Sequence, residues 1–185
     1  MAVEAKDPYT RGHSRRTMVL AKAIAEKLQL PEDAVQIIRD AALLHDIGKV
    51  GIPDSILTKS SSLTQAEYEI VKKHPAVGAN ILKPLRTMDR LLPGIRSHHE
   101  KPNGEGYPEH LIEANIDPSA LIVGLADAVD AMLSNRPYRS SLSIEAVVKI
   151  IKDGLGTLFE KKAGEAFLQL IEQKEFDFKK LYETQ

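Results

Sequence analysis

The sequence predicts an all-α fold, a bundle of about seven to nine helices. Three observations predict it. Apolar residues recur at helical spacing in segment after segment. Capping residues and prolines punctuate those segments. The composition is 43% hydrophobic but only 5% aromatic, with no Trp, so Leu, Ile, Val and Ala fill the core.

The first residues with a structural signal, 7–12, read as an opening loop in which Asp7 or Thr10 can cap the first helix. Met18, Val19, Ala21, Ile24, Ala25 and Leu28 predict that helix over 13–28, with His13 at its start. Pro31, Glu32 and Asp33 open a second helix, which runs through Val35, Ile38, Ala41, Ala42 and Leu44 to His45 and Asp46. Pro53-Asp54-Ser55 starts a short helical turn, and residues 60–62 form a polar loop. Thr64 and Glu67 make a capping-box pattern before a helix that reaches His74, where Pro75 bends the chain. A helix over 77–85 carries Gly78, which lets two helices approach closely. Another, over 91–100, ends in His98-His99-Glu100. Residues 101–108 are a glycine-rich loop holding Gly104, Gly106, Tyr107 and Pro108. Asp117-Pro118 begins the most apolar helix, inside which Asp127 and Asp130 share a face. Arg136-Pro137-Tyr138-Arg139 comes after it. Helices from Ser143 to the glycines at 154–156 and over 162–173 complete the core, and the tail to Gln185 reads as charged chain without a structural signal.

The bulk properties narrow the function. At 185 residues the chain is read as one domain, residues 1–185. Because Met1-Ala2 leads straight into what reads as mid-domain sequence, it is expected to be excised from a longer signalling protein. A net charge of −1 gives no reason to expect a nucleic-acid polymer or membrane surface as partner. The chain has no Cys, which removes disulfides, thiolate metal sites and thiol nucleophiles. No run of about 18 apolar residues is present. The expectation is a cytoplasmic protein with no membrane insertion of this domain.

The chemistry gathers around His45-Asp46-Ile47-Gly48-Lys49. A neutral imidazole offers one nitrogen to a metal, and a carboxylate can hold two metals at once. Gly48 lets the backbone approach closely, and Lys49 places a cation where a phosphate would sit. Five of the six His (His13, His45, His74, His98 and His99) stand at helix ends or beside another candidate ligand. Asp127 and Asp130 are anomalies in so apolar a helix, since an isolated buried carboxylate costs several kcal/mol unless paired or metal-bound. An Asp130–Arg136 pair is the structural alternative for Asp130. Five imidazoles with Asp46 and Asp127 are too many donors for one closed site. They suit two divalent ions roughly 3.5–4 Å apart, bridged by Asp46 and a hydroxide. The donors are nitrogen and oxygen only, which zinc, manganese or iron all accept.

A lone His, His-Asp-x-Gly-Lys, a second lone His, His-His-Glu, Gly-Tyr-Pro and an Asp-x-x-Asp helix together resemble the HD-GYP family of the HD phosphohydrolase superfamily. The resemblance runs from about Asp7 to Phe167. It implies an HD-domain-like bundle with the Gly-Tyr-Pro loop beside the metal site. It also implies hydrolysis of cyclic di-GMP to pGpG, and in some members on to GMP. By the family pattern His13, His45, Asp46 and Asp127 hold one metal, and Asp46, His74, His98 and His99 the other, with Fe or Mn the expected ions. Lys49 would stabilise phosphoryl charge and help protonate the leaving group. Asp130 would orient water or Lys49. Gly106, Tyr107 and Pro108 would line the substrate groove, and Arg136 and Arg139 would bind phosphate. A cyclase-domain protein is a candidate partner through the Gly-Tyr-Pro loop.

Three departures stand out. Tyr9 occupies the position where some members carry a Glu that holds a third metal, so two ions are expected. Asn103 and Lys101 replace an Asp and an Arg in the loop. Glu160-Lys161 stands where Asp-Pro is common. Other readings keep the fold. One is hydrolysis of another cyclic dinucleotide such as cyclic GMP-AMP. Another is a sensing or docking module without turnover. A third is a di-iron oxygenase, against which the Gly-Tyr-Pro loop speaks.

Overall fold

The computed structural model describes residues 12–59, 61–135 and 140–183. Among them are nine α-helices of six residues or more and one single-turn helix. The only β pairing among the described residues is two isolated bridges, Asn103 with Ile112 and Leu155 with Phe159.

Helix α1 spans His13–Lys27 and α2 spans Glu32–Leu44. A 3₁₀ turn covers Ile47–Gly51, and the one-turn α3 covers Asp54–Leu57. Then come α4, Gln65–Val71, and α5, His74–Leu82. A second 3₁₀ stretch, Arg86–Leu91, leads into α6, Leu92–Ser97. After the loop come α7 (Pro118–Leu133), α8 (Ile144–Gly154), α9 (Lys161–Glu172) and α10 (Phe178–Glu183).

The caps at Thr64 and Asp117 form as expected, whereas α1 begins after Gly12 without a side-chain cap, and Asp7 and Thr10 lie outside the described residues. The Thr64 hydroxyl accepts from the Glu67 N–H at 3.3 Å, while the Glu67 carboxylate accepts from the Thr64 N–H at 2.7 Å. Asp117 accepts from the Ser119 N–H at 2.8 Å and so opens α7. Glu160, where the resemblance leads one to expect Asp, caps α9 by accepting from the N–H groups of Lys162 and Ala163 at 2.9 and 2.7 Å.

Two boundaries differ from the periodicity. His74 does not end α4. That helix stops at Val71, and His74 instead begins α5, with Pro75 in the first turn where a missing N–H costs nothing. The segment over 91–100 divides into a 3₁₀ stretch and a six-residue helix that ends at Ser97, because Pro93 fits only the start of a helix. His98 and His99 therefore lie past the helix end.

Helices α1, α2 and α7 pack against one another and form the centre of the bundle. Leu20, Ile24, Ile38, Val123, Val129 and Phe167 are buried there. Helices α5 and α6 lie against each other, α6 also packs on α2 and α7, and α9 covers α1. The first 3₁₀ turn lies directly on α5, and Gly48 permits this. A Cβ at Gly48 would collide with the His74 carbonyl oxygen and the Gly78 amide nitrogen. That contact sets His74 beside the His45-Asp46 corner. The bundle thus brings the ends of four helices, α1, α2, α5 and α6, to one place.

Candidate metal centre

Each candidate side chain is delivered by a helix end, with one exception on α7. His13 begins α1, His45 caps the C-terminus of α2 and Asp46 opens the 3₁₀ turn after it. His74 begins α5, and His98 and His99 come directly after α6, while Asp127 projects from within α7. The structure brings all seven expected donors together. Three groups of donor atoms have every atom within 4.8 Å of the others: His13 with His45 and Asp127, His74 with His98 and His99, and His45 with Asp46 and His98.

The imidazole orientations are fixed from behind. The Nδ1 atoms of His45, His74 and His98 lie 2.7, 2.8 and 2.7 Å from the carbonyl oxygens of Ala42, Val71 and Ile95. His13 Nδ1 lies 2.6 Å from an Asp130 oxygen. A proton on each Nδ1 serves these acceptors and leaves each Nε2 with a lone pair aimed inward, the usual arrangement behind metal-bound histidines. Two pairs of these lone pairs face each other. His13 Nε2 is 3.3 Å from His45 Nε2, and His74 Nε2 is 3.3 Å from His98 Nε2. Neither contact is a hydrogen bond when both nitrogens are bare; a bound cation, or at His13 a proton, offsets the repulsion. Donors about 2.0–2.2 Å from a common ion lie roughly 3–3.5 Å apart, which is this spacing.

Asp46 links the two sides. Its Oδ2 is 3.6 Å from His13 Nε2 and 3.4 Å from His45 Nε2, while its Oδ1 is 3.2 Å from His74 Nε2. Asp127 Oδ1 is 3.3 Å from His13 Nε2 and 3.9 Å from His45 Nε2. Lys49 Nζ donates to Asp46 Oδ2 at 2.6 Å, at the margin of the cluster.

The protonation states suit cation binding. Burial raises the carboxyl pKa of Asp46, but Lys49 and then His45 outweigh it and hold the group well below the usual range. Asp127 is likewise held well below that range, against its burial, by His13 and His45. Burial, with His99 beside it, keeps His98 neutral, and burial pushes His99 down to about 3. His13 differs: burial lowers it, but its bonds to Asp127 and Asp130 prevail and raise it to about 9. A positive charge is therefore favoured at that point between the carboxylates. The donor set fits divalent cations that take nitrogen and oxygen ligands.

The loop after Glu100 wraps this cluster. Glu100 is buried, and its carboxylate accepts from the N–H groups of Glu109 at 2.6 Å and Leu111 at 2.9 Å. Gly106 lies on the backbone of residues 99–101, where a Cβ would meet the Glu100 Cα and the His99 carbonyl oxygen. Tyr107 donates its N–H to that carbonyl at 3.1 Å and stacks its ring on His99, with centroids 4.6 Å apart and planes at 30°. Pro108 is joined to it through a cis peptide bond. Asn103, in place of the family's Asp, accepts from the Glu105 N–H at 3.0 Å and so still closes the turn.

Asp130 needs correcting. Expected to orient water or Lys49, it instead accepts from Arg16 Nε at 2.7 Å and Tyr182 Oη at 2.8 Å through Oδ1, while Oδ2 meets His13. Among the described residues its arginine is Arg16. Arg136 and Arg139 lie outside the described residues, as does Tyr9. Arg16 and Tyr182 are the residues that sequence reasoning missed. Arg16 sits three residues after His13, close enough to share its helix face. Glu100 was visible in the motif, but without its anchoring role.

An all-helical bundle whose helix ends converge on clustered His and Asp defines a class, and residues 1–162 match the HD domain family, to which this chain belongs. The resemblance to HD-GYP proteins drawn from the motifs is borne out by its relatives. The chain is 41% identical over 174 residues to a cyclic di-GMP phosphodiesterase of Thermotoga maritima, covering 92% of this chain and 47% of that protein. It is 40% identical over 159 residues to 3′3′-cGAMP-specific phosphodiesterase 3 of Vibrio cholerae, covering 85% of this chain and 34% of that one. Among solved structures, Bd1817, an HDG"Y"P protein of Bdellovibrio bacteriovorus, superposes with a TM-score of 0.70 at 26% identity, over 86% of this chain and 51% of that one. The chain spans about half the length, or less, of the curated relatives it matches.

Proposed function

We propose that the chain is a metal-dependent phosphodiesterase that hydrolyses cyclic di-GMP to pGpG, the product that some members of the family cleave on to GMP. The observation that carries this reading is Asp46, with one carboxylate oxygen among the donors on each side of the cluster. On this reading His13, His45, Asp46 and Asp127 hold one ion, and Asp46, His74, His98 and His99 hold the other. Iron or manganese is the expected metal. Two such ions supply a water nucleophile at neutral pH and offset charge on the phosphoryl group.

The chain's own groups do the rest. Lys49, at 2.6 Å from Asp46, donates to phosphoryl oxygens and to the departing ribose oxygen. The stacked Tyr107, with Gly106 and Pro108, forms one wall of the groove and excludes water from the His99 side. Arg136 and Arg139 hold phosphate. Asp130 fixes His13. The cytoplasmic location expected from the sequence belongs to this reading, as does a cyclase-domain partner docking on the Gly-Tyr-Pro loop. Among the described residues, no helix is long and apolar enough to cross a membrane.

A second reading has its own support: at 40% and 36% identity, two relatives are named for 3′3′-cGAMP. One experiment separates the two. The protein is reconstituted without oxygen with ferrous iron or with manganese, and given equal amounts of both cyclic dinucleotides. Faster conversion of cyclic di-GMP, abolished in Asp46→Ala, supports the first reading. Preference for cyclic GMP-AMP supports the second. No turnover of either by protein that binds metal sinks both and leaves a sensing module.

A further inference from the structure

The last described helix reaches Asp130, the residue behind the candidate ligand His13. Helix α10 comes after α9 and a short turn, and the phenyl rings of Phe176 and Phe178 pack 4.6 Å apart, with Phe178 also set edge-on to Phe167 of the core at 5.9 Å. Lys27 at the end of α1 clips the same turn by donating to Gln173 at 2.5 Å and Glu175 at 2.7 Å. Docked in this way, α10 points Tyr182 at α7. The Tyr182 hydroxyl donates to Asp130 Oδ1 at 2.8 Å, and its ring lies 5.5 Å from the Arg16 guanidinium carbon.

Asp130 is fully buried, and each of its oxygens is committed. Oδ1 takes Arg16 Nε and Tyr182 Oη. Oδ2 takes His13 Nδ1 at 2.6 Å and Arg16 Nη2 at 3.2 Å. The tyrosine is thus one of two donors on the oxygen opposite His13, and it shields the arginine that is the other. Without its hydroxyl, Asp130 Oδ1 keeps only Arg16, and the carboxylate can rotate toward it and away from His13. Burial and then Asp130 push the Tyr182 hydroxyl far above its ordinary range, so it stays a donor at every working pH. Tyr182 also lies outside residues 1–162, the part that matches the HD domain family.

We propose that Tyr182 is a positioning residue for the His13 side of the metal centre, acting through Asp130, so that the affinity of that side depends on the docked C-terminal helix. The inference rests on the two-ion reading given above. Removal of a group behind a histidine ligand typically costs ten- to a hundredfold in metal affinity. With one residue intervening, Tyr182→Phe is expected at the lower end, about tenfold.

The test titrates metal-free wild type and Tyr182→Phe with manganese(II) alone, monitored by electron paramagnetic resonance and chelator competition, beside thermal unfolding without metal. Phe keeps the ring over Arg16 and loses only the hydroxyl. The expected result is that wild type shows the signature of a coupled ion pair, while Tyr182→Phe passes through a singly loaded species and needs about tenfold more manganese to pair. A purely structural tyrosine would lower the unfolding temperature without separating the two affinities, and that outcome overturns the proposal. Equal binding curves in both proteins overturn it as well. Failure of wild type to bind two ions overturns the functional reading instead. Should Tyr182→Phe lose its fold, Arg16→Lys, which disturbs the same Asp130 oxygen from the other donor, must give the same selective weakening or the proposal falls.

Discussion

At the scale of single residues, the site is a set of opposing charges that only a cation reconciles. His13 shows this most clearly. Its folded pKa is raised from 6.5 to about 9: burial lowers it, but Asp127 and Asp130 more than offset that. In metal-free protein the protonated His13 therefore contributes stability in full below pH 6.5, and the contribution fades as pH rises through 9. A metal needs the lone pair that this proton occupies. Metal binding at pH 7 is therefore expected to release about one proton from His13, and affinity on that side to fall roughly tenfold per pH unit below 9. Calorimetry in buffers of different ionisation heat measures the proton count; a count of zero would contradict the protonation state assigned to His13.

Asp46 was legible in the sequence through its company: a His-Asp pair at a helix end is usually plain polar chemistry, and the further His and Asp residues along the chain are what make it a candidate ligand. Asp130 was the least legible. Its buried position in an apolar helix announced a partner, but not which one. Of the groups that hold it, two come from residues 13 and 16, over a hundred positions away in the chain, and another comes from Tyr182 in a tail that reads as charged chain without a structural signal. Spacing along one helix carries no information about contacts made across the fold.

At the scale of elements, the helices were legible from their caps and periodicity, while the ends that matter for chemistry shifted. His74 moved from the close of one helix to the start of the next, since Pro75 is tolerated only in a first turn. The shift turns its Nδ1 to the Val71 carbonyl and its Nε2 to Asp46. The loop after His99 is ordered by one buried carboxylate. Glu100→Ala would strand the amides of Glu109 and Leu111, a cost of about 2–4 kcal/mol. It would also free Tyr107 from its stack, with a loss in kcat/KM for the dinucleotide of roughly ten- to a hundredfold. Metal content should stay at the wild-type value. Denaturant unfolding and steady-state kinetics check the two effects, and unaltered kinetics would mean that the loop does not form a wall of the groove.

At the scale of the whole molecule, the all-α bundle results from a core of small and medium aliphatic residues on α1, α2 and α7, with Phe167 the largest fully buried side chain. The same packing that buries this core drives helix ends together at the donor cluster, so stability and metal binding are linked. An ion at a hundredfold excess over its Kd adds about 2.7 kcal/mol per site. For a domain of this size that is about 5–10 °C in Tm. Scanning calorimetry with and without a chelator should show that drop, and a Tm indifferent to the chelator would mean that the cluster binds no ion.

Anomalous diffraction from crystals of the protein grown with manganese tests the two-ion site directly. Two peaks roughly 3.5–4 Å apart are expected, with one Asp46 oxygen on each, His13, His45 and Asp127 on the first, and His74, His98 and His99 on the second. A single peak, or two peaks that do not share Asp46, would contradict it.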